Sequence, residues 1–182
     1  MATGTQSASK NENFSVSNLV LGGTALTASA AEINRVATTS ARLVAAGGTL
    51  TATAALHDGK IICLDTAAGS VVTLPAASGS GARFRFLVTV TATSNSHIVK
   101  VANASDTITG FVHNNDVDGT AVAFYKASST DDTVTLNRTT TGGVLGDELE
   151  FIDMKANLWF VKGAITCVEG DNIATPFSAA VS

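Results

Sequence analysis

Between Arg83 and Thr91 the chain alternates with a period of two. Phe84, Phe86, Val88 and Val90 fall on one side, and Arg83, Arg85, Thr89 and Thr91 on the other. Successive side chains of an extended strand point to opposite faces, whereas a helix repeats every 3.6 residues. This stretch therefore reads as a strand with one buried face and cannot be laid down as an amphipathic helix. Further runs lie at 60–64, 70–74, 97–102, 107–112, 120–126, 132–137, 148–153 and 157–168. In 148–153, Leu149 and Phe151 point inward while Glu148 and Glu150 point outward. Breaks rich in Gly, Asn, Asp and Ser separate the runs, at spacings of roughly twelve residues. Short strands at this spacing predict an all-β body over residues 57–182, a β-sandwich or jelly-roll-like fold.

Residues 1–56 read differently, as an N-terminal arm with one short helix and a linker. Met1 to Asn13 is polar and lacks periodicity, so it has no means of ordering except against a partner. Phe14-Ser15-Val16-Ser17-Asn18-Leu19-Val20-Leu21 alternates weakly and suits an added strand or an extended tether. Ser29-Ala30-Ala31-Glu32 matches a capping box, and Ile33 and Val36 follow at helical spacing, which predicts a helix over 30–38. Two or three turns are marginal alone. Phe14, Val16, Leu19, Leu21, Ile33 and Val36 are therefore expected to dock on a partner. Gly22-Gly23-Thr24-Ala25-Leu26-Thr27-Ala28 is echoed at Gly47-Gly48-Thr49-Leu50-Thr51-Ala52, and two copies fall short of a solenoid.

Composition narrows the function classes. Leu, Ile, Val and Phe supply 47 of 182 residues, above the roughly 20% level at which chains stay disordered. Charged residues are only 14%, and Thr (25) and Ser (16) carry the polarity. So sparse a charged surface suits a chain covered by other chains. The net charge is −4, and no Lys/Arg cluster occurs, so the basic footprint of a nucleic-acid binder is missing. The uncharged stretch 13–31 carries Ser, Asn, Thr and Gly throughout and does not read as a membrane span. Cys63 and Cys167 lie in apolar strand runs and read as buried free thiols.

Candidate chemistry is sparse. His57, His97 and His113 show no two-histidine metal spacing. Asn114-Asn115-Asp116-Val117-Asp118-Gly119 matches the first half of a calcium loop, with oxygen ligands at positions one, three and five and Gly at six. Its second half fails: position nine is Val122, and Tyr125 stands at twelve where a bidentate Glu belongs. The segment reads as a polar β-turn, and no metal or cofactor is expected. Carboxylates occur in groups at Asp131-Asp132 and at Asp147, Glu148, Glu150 and Asp153, but their settings read as strand-entry turns and a solvent face. Ser78-Gly79-Ser80-Gly81 is a small-residue turn with no helix behind it, hence no phosphate cradle. Nucleophile-elbow, Walker and dinucleotide fingerprints are missing. Trp159 reads as a core or interface anchor. No catalytic residue is expected.

Three segments carry a resemblance. They are Leu26-Thr27-Ala28-Ser29-Ala30-Ala31-Glu32-Ile33-Asn34-Arg35-Val36, Val72 through Phe84 (Val-Thr-Leu-Pro-Ala-Ala-Ser-Gly-Ser-Gly-Ala-Arg-Phe), and Thr140 through Phe151 followed by Trp159. Together the chain resembles tailed-bacteriophage virion structural proteins, chiefly capsid decoration (cement) proteins. The resemblance covers most of residues 20–182 and implies a homotrimeric β-rich body on the outer capsid surface. Its partners would be the major capsid protein and further copies of itself, with neither nucleic acid nor membrane, after assembly in the host cytoplasm. Free thiols suit that reducing compartment. The rival is a trimeric head- or tail-fibre domain that binds a host receptor. A glycan-active protein built on the carboxylates and Trp159 is a third reading.

Overall fold

The computed structural model describes residues 42–168 and 172–181, together with residues 20–21, 23–25, 27, 29 and 33. The chain divides into two compact units, Met1–Thr39 and Ser40–Ser182. In the first, β1 (Val20–Leu21) and β2 (Thr24–Ala25) form a two-stranded antiparallel hairpin. Gly23 turns it at φ 85°, a conformation glycine adopts without steric cost. The Ile33 amide donates to the Ser29 carbonyl at 3.0 Å, one turn of helix where the capping pattern predicts one. The rest of the 30–38 segment lies outside the described residues.

Among its described residues the second unit is all β apart from one turn of helix, α1 (Ala54–His57). Its strands are β3 (Leu43–Ala45), β4 (Thr49–Thr51), β5 (Ile61–Leu64), β6 (Val71–Thr73), β7 (Arg83–Val88) and β8 (His97–Lys100), then β9 (Thr107–Asp116), β10 (Val122–Lys126), β11 (Thr133–Leu136), β12 (Glu148–Lys155), β13 (Leu158–Cys167) and β14 (Phe177–Ser178). A seven-stranded sheet in the order β10-β9-β13-β12-β7-β5-β3 packs on a five-stranded sheet in the order β14-β11-β8-β6-β4. The all-β sandwich expected from the period-two pattern is therefore observed. The unit begins earlier than residue 57, because β3 and β4 lie in the stretch that reads as linker and pair with β5 and β6.

The winding of the first half is a feature that alternation alone does not specify. β3, β5 and β7 are parallel neighbours in one sheet, and β4, β6 and β8 are parallel neighbours in the other. From Leu43 to Lys100 the chain crosses between sheets at each step, making three turns of a two-sheet coil. Parallel strands cannot be joined by a hairpin, and here the opposite sheet serves as the crossover. From β9 onward antiparallel pairs dominate, with one long parallel pair between β9 and β13.

The inward rows meet in one core. Phe84 and Phe86 of β7, Phe151 of β12 and Trp159 of β13 are at most 1% exposed, and Val72, Leu74, Val99 and Leu136 join them from the five-stranded side. Phe84 meets Trp159 edge-on at 5.6 Å and 71°, and Phe86 meets Phe151 at 5.6 Å and 88°. Such aromatic pairs contribute about 0.5–1.5 kcal/mol beyond area burial. Val90, placed inward by the alternation, lies beyond the end of β7 and is 36% exposed.

Candidate assembly surface

The outward face of the seven-stranded sheet is built by the alternate residues that the core leaves over. Register places Val122, Phe124 and Lys126 of β10 beside Asn115, His113 and Phe111 of β9. Across β13 and β12 the face continues through Ala164, Lys162, Glu148 and Glu150 to Arg83 and Arg85 of β7. It is charged in the middle and apolar towards the β10 edge.

The charges are matched. Arg85 holds Glu148 through two parallel bonds of 2.8 Å, and Lys162 reaches Glu150 at 2.8 Å, with Arg83 at 3.7 Å from the same carboxylate. The Arg85 hydrogen bond keeps the Glu148 carboxyl below its ordinary range. Exposed pairs of this kind contribute at most about 1 kcal/mol each and are screened by salt. They set the charge pattern of the face more than its stability.

The apolar end is more unusual. Phe124 is 72% exposed, Val122 55% and Phe111 47%. The His113 ring stacks on Phe124 with centroids 4.8 Å apart and planes 12° from parallel. Phe111, Glu148, Glu150, Lys162, Gly163 and Ala164 line a hollow of about 310 Å³, open because Gly163 and Ala164 are small. Gly110, just before Phe111, adopts φ 123°, and a Cβ there would lie 1.9 Å from the Val161 carbonyl oxygen. Only glycine lets β9 and β13 approach at this point. β10 is also the outer strand of this sheet among the described residues. A flat apolar edge strand is a template for pairing with another chain unless something covers it.

The carboxylates flagged by the sequence are occupied in holding loops. Asp153, 3% exposed, accepts amides from Ser78, Gly79 and Ser80 at 2.7–3.2 Å and the Ser78 and Ser80 hydroxyls at 2.8 and 2.6 Å. Burial pushes this carboxyl up, but the Ser80 hydroxyl, the Gly79 and Ser80 amides and the Ser78 hydroxyl outweigh it and bring it to about 2. The Ser-Gly-Ser-Gly turn is thus an anion cradle, filled by the protein's own carboxylate. Asp147 accepts the Gly143, Val144 and Thr166 amides, yet burial prevails and raises its pKa. Asp132 accepts Thr133 Oγ1 and the Ala180 and Val181 amides, fastening the C-terminal segment, and Asp131 caps the Ser128 amide at 2.7 Å.

The remaining candidates are structural as well. His97 is fully buried. It accepts the Ser70 amide at Nδ1 (3.0 Å) and donates from Nε2 to the Val90 carbonyl (2.9 Å), and burial lowers its pKa. His57 accepts the Thr53 amide at 3.0 Å. Cys63 and Cys167 are buried thiols outside any disulfide, as their strand settings indicate, and burial raises the Cys63 thiol. Trp159 is a core residue. Of the expected docking residues, Ile33 is 39% exposed and Leu21 pairs with Thr24 in β1, whereas Phe14, Val16, Leu19 and Val36 lie outside the described residues. Sequence reasoning did not pick out Phe111, Val122 and Phe124; their signal is an apolar residue on the face opposite the buried Ile108 and Val112.

Comparison with protein-family models, with curated proteins and with solved structures finds no match.

Proposed function

We propose that this chain is a structural virion protein that decorates and stabilises an icosahedral phage capsid by binding across neighbouring capsid subunits. The observation that carries this reading is the exposed apolar patch of Phe111, Val122 and Phe124 beside the strand that ends its sheet among the described residues. Beside it, the carboxylates most suggestive of catalysis are paired with cations or buried in loop cradles. A surface invested in apolar contact rather than in reactive groups suits a protein that works by assembly. The resemblance of residues 26–36, 72–84 and 140–151 to phage decoration proteins supplies the partner.

Two contacts divide the work in this reading. The β9–β10 patch closes a homotrimer, because cyclic symmetry finishes such an interface without leaving an edge. The N-terminal arm, with Phe14, Val16, Leu19, Leu21, Ile33 and Val36, attaches to the major capsid protein. Three arms per trimer bind with avidity, since the second and third contacts are intramolecular. Light scattering tests the first contact: the purified chain is a trimer at micromolar concentration, and Phe124→Asp is a folded monomer. A wild-type monomer contradicts it.

A further inference from the structure

We propose that residues 19–30 of one copy add a further turn to the open end of a second copy's coil, beside β3 and β4. The first unit carries another version of the sequence that begins the coil. Set 24 residues apart, 19–31 (Leu-Val-Leu-Gly-Gly-Thr-Ala-Leu-Thr-Ala-Ser-Ala-Ala) and 43–55 (Leu-Val-Ala-Ala-Gly-Gly-Thr-Leu-Thr-Ala-Thr-Ala-Ala) are identical at eight of thirteen positions.

The likeness extends to structure. A glycine at positive φ breaks each segment at the same place, Gly23 at 85° and Gly47 at 58°. Strands flank it in both, β1 and β2 in one case and β3 and β4 in the other. One turn of helix closes each. The Ile33 amide donates to the Ser29 carbonyl at 3.0 Å, and 24 residues on the His57 amide donates to the Thr53 carbonyl at 2.9 Å. That offset suits the coil. Its neighbouring strands place Leu43 beside Ile61 and Thr49 beside Val71, 18 and 22 residues apart, then Ile61 beside Arg85 and Val71 beside Ile98, 24 and 27 apart.

The coil has a place for such a turn. β3 and β4 belong to one turn, and each ends its sheet among the described residues. Val44 is in register with Ile62, and Leu50 with Val72. Ile62 and Val72 are fully buried, whereas Val44 and Leu50 are half-buried, so the core opens at this end. In the repeat, Val20 and Leu26 stand where Val44 and Leu50 do. An added turn therefore continues both apolar columns with the same side chains. Leu19 and Leu21 match the exposed Leu43 and Ala45, which leaves them on the outer face for the capsid contact. Strand addition of this kind draws affinity from backbone pairing and specificity from alternate side chains, and solenoid ends require a cap.

A second copy, rather than the same chain, supplies the turn. Within one chain, Val20 and Leu21 pair with Ala25 and Thr24 instead. Two residue pairs make a marginal hairpin, so releasing it costs little. The connection is also long. Nine residues, 34–42, separate the helical turn at Ile33 from β3, whereas three, 58–60, separate α1 from β5. Nine extended residues reach about 30 Å, far more than the roughly 4.8 Å between neighbouring strands. Exchange of a segment between identical chains is a low-cost route to association. The contact rests on the repeat and is separate from the β9–β10 patch.

The test is a disulfide between copies. Ala25 and Thr49 occupy equivalent positions and are exposed, and adjacent strands lie within disulfide reach. The native Cys63 and Cys167 are buried. Full-length Ala25→Cys and Thr49→Cys chains with different tags are co-expressed and mildly oxidised. The mixed disulfide is expected in roughly tenfold excess over that formed when Ser94→Cys, on an exposed loop, replaces Thr49→Cys, because docking makes the reaction intramolecular. Adding Val20→Asp to the Ala25→Cys chain is expected to remove the excess. A mixed disulfide no more abundant than the Ser94→Cys control overturns the proposal. So does a double variant, Ala25→Cys with Thr49→Cys, that closes within one chain while the co-expressed pair stays unlinked. Light scattering on the same samples separates this contact from the assembly reading. A trimer without the cross-link overturns this contact alone, and a cross-link without a trimer supports it while the β9–β10 interface fails.

Discussion

The Asp153 carboxylate accepts the Ser80 hydroxyl at 2.6 Å, across 73 positions of sequence. That contact joins the end of β12 to the turn that starts β7, two strands that also pair along their length. The shift to about 2 gives its worth. A carboxyl lowered from 3.8 to about 2 contributes about 2 kcal/mol at neutral pH. Asp153→Asn is therefore expected to lower unfolding free energy by about 2 kcal/mol in urea titrations. The sign follows from linkage: the contribution is present above about pH 4 and is lost as pH falls towards 2. Asp147, raised by burial, works in the opposite sense. Its contribution is present below its unfolded value of 3.8 and is lost as pH rises through its folded value, so it steepens no acid loss.

His97 supplies a second pH dependence. Its pKa is lowered from 6.5, first by burial, so the neutral ring is the native form. Its contribution is complete above 6.5 and is lost as pH falls through the folded value. Urea midpoints measured at pH 7.5, 6.5 and 5.5 should fall for wild type. His97→Gln should start lower, since the Ser70 amide loses its acceptor, and should show a shallower decline over the same range. An unchanged slope would assign the effect to other groups.

Glycine substitutions separate space from conformation. Gly110→Ala forces a Cβ to within 1.9 Å of the Val161 oxygen and should prevent recovery of folded protein. Gly119→Ala meets nothing within 4 Å and carries only the strain of φ 76°, a cost of about 1–2 kcal/mol. Soluble yield and melting temperature distinguish the two. If Gly110→Ala behaved like Gly119→Ala, β9 and β13 would have to separate more readily than their ten-residue parallel register suggests.

Packing of the aromatic core is testable by truncation. Phe86→Ala removes a ring that is 1% exposed and packed edge-on against Phe151, and should cost about 3–5 kcal/mol. For a marginally stable domain that is a large share of the total. Phe124→Ala, on a ring that is 72% exposed, should leave monomer stability within about 0.5 kcal/mol. A large loss there would mean that the His113 stack, and not an assembly contact, explains the residue.

Much of the strand content was legible because alternation is a local signal. Phe84, Phe86, Val88, Leu149 and Phe151 all face the core as their spacing dictates. The winding was not legible. A spacing near twelve residues fits a hairpin and also a crossing to the opposite sheet, since both bring the chain back to an extended segment. β3 and β4, three residues each, are too short to show a period. The Gly-Gly-Thr echo likewise has two outcomes: Gly23 turns a hairpin, whereas Gly47-Gly48 carries the chain from one sheet to the other. For the candidate surface, the sequence marked residues of the arm. It could not mark Phe111 and Phe124, whose exposure depends on which strand ends the sheet. Nor could it foresee that Asp153 would fill the cradle of the Ser78–Ser80 turn, a pairing set by tertiary structure alone.

Quantitative co-sedimentation with expanded, undecorated phage capsids tests the central claim most directly. The full chain is expected to pellet with capsids saturably, and a chain lacking residues 1–39 is expected to remain a folded trimer in the supernatant. Failure of the full chain to pellet at any concentration, with its trimer intact, would contradict a role in capsid decoration.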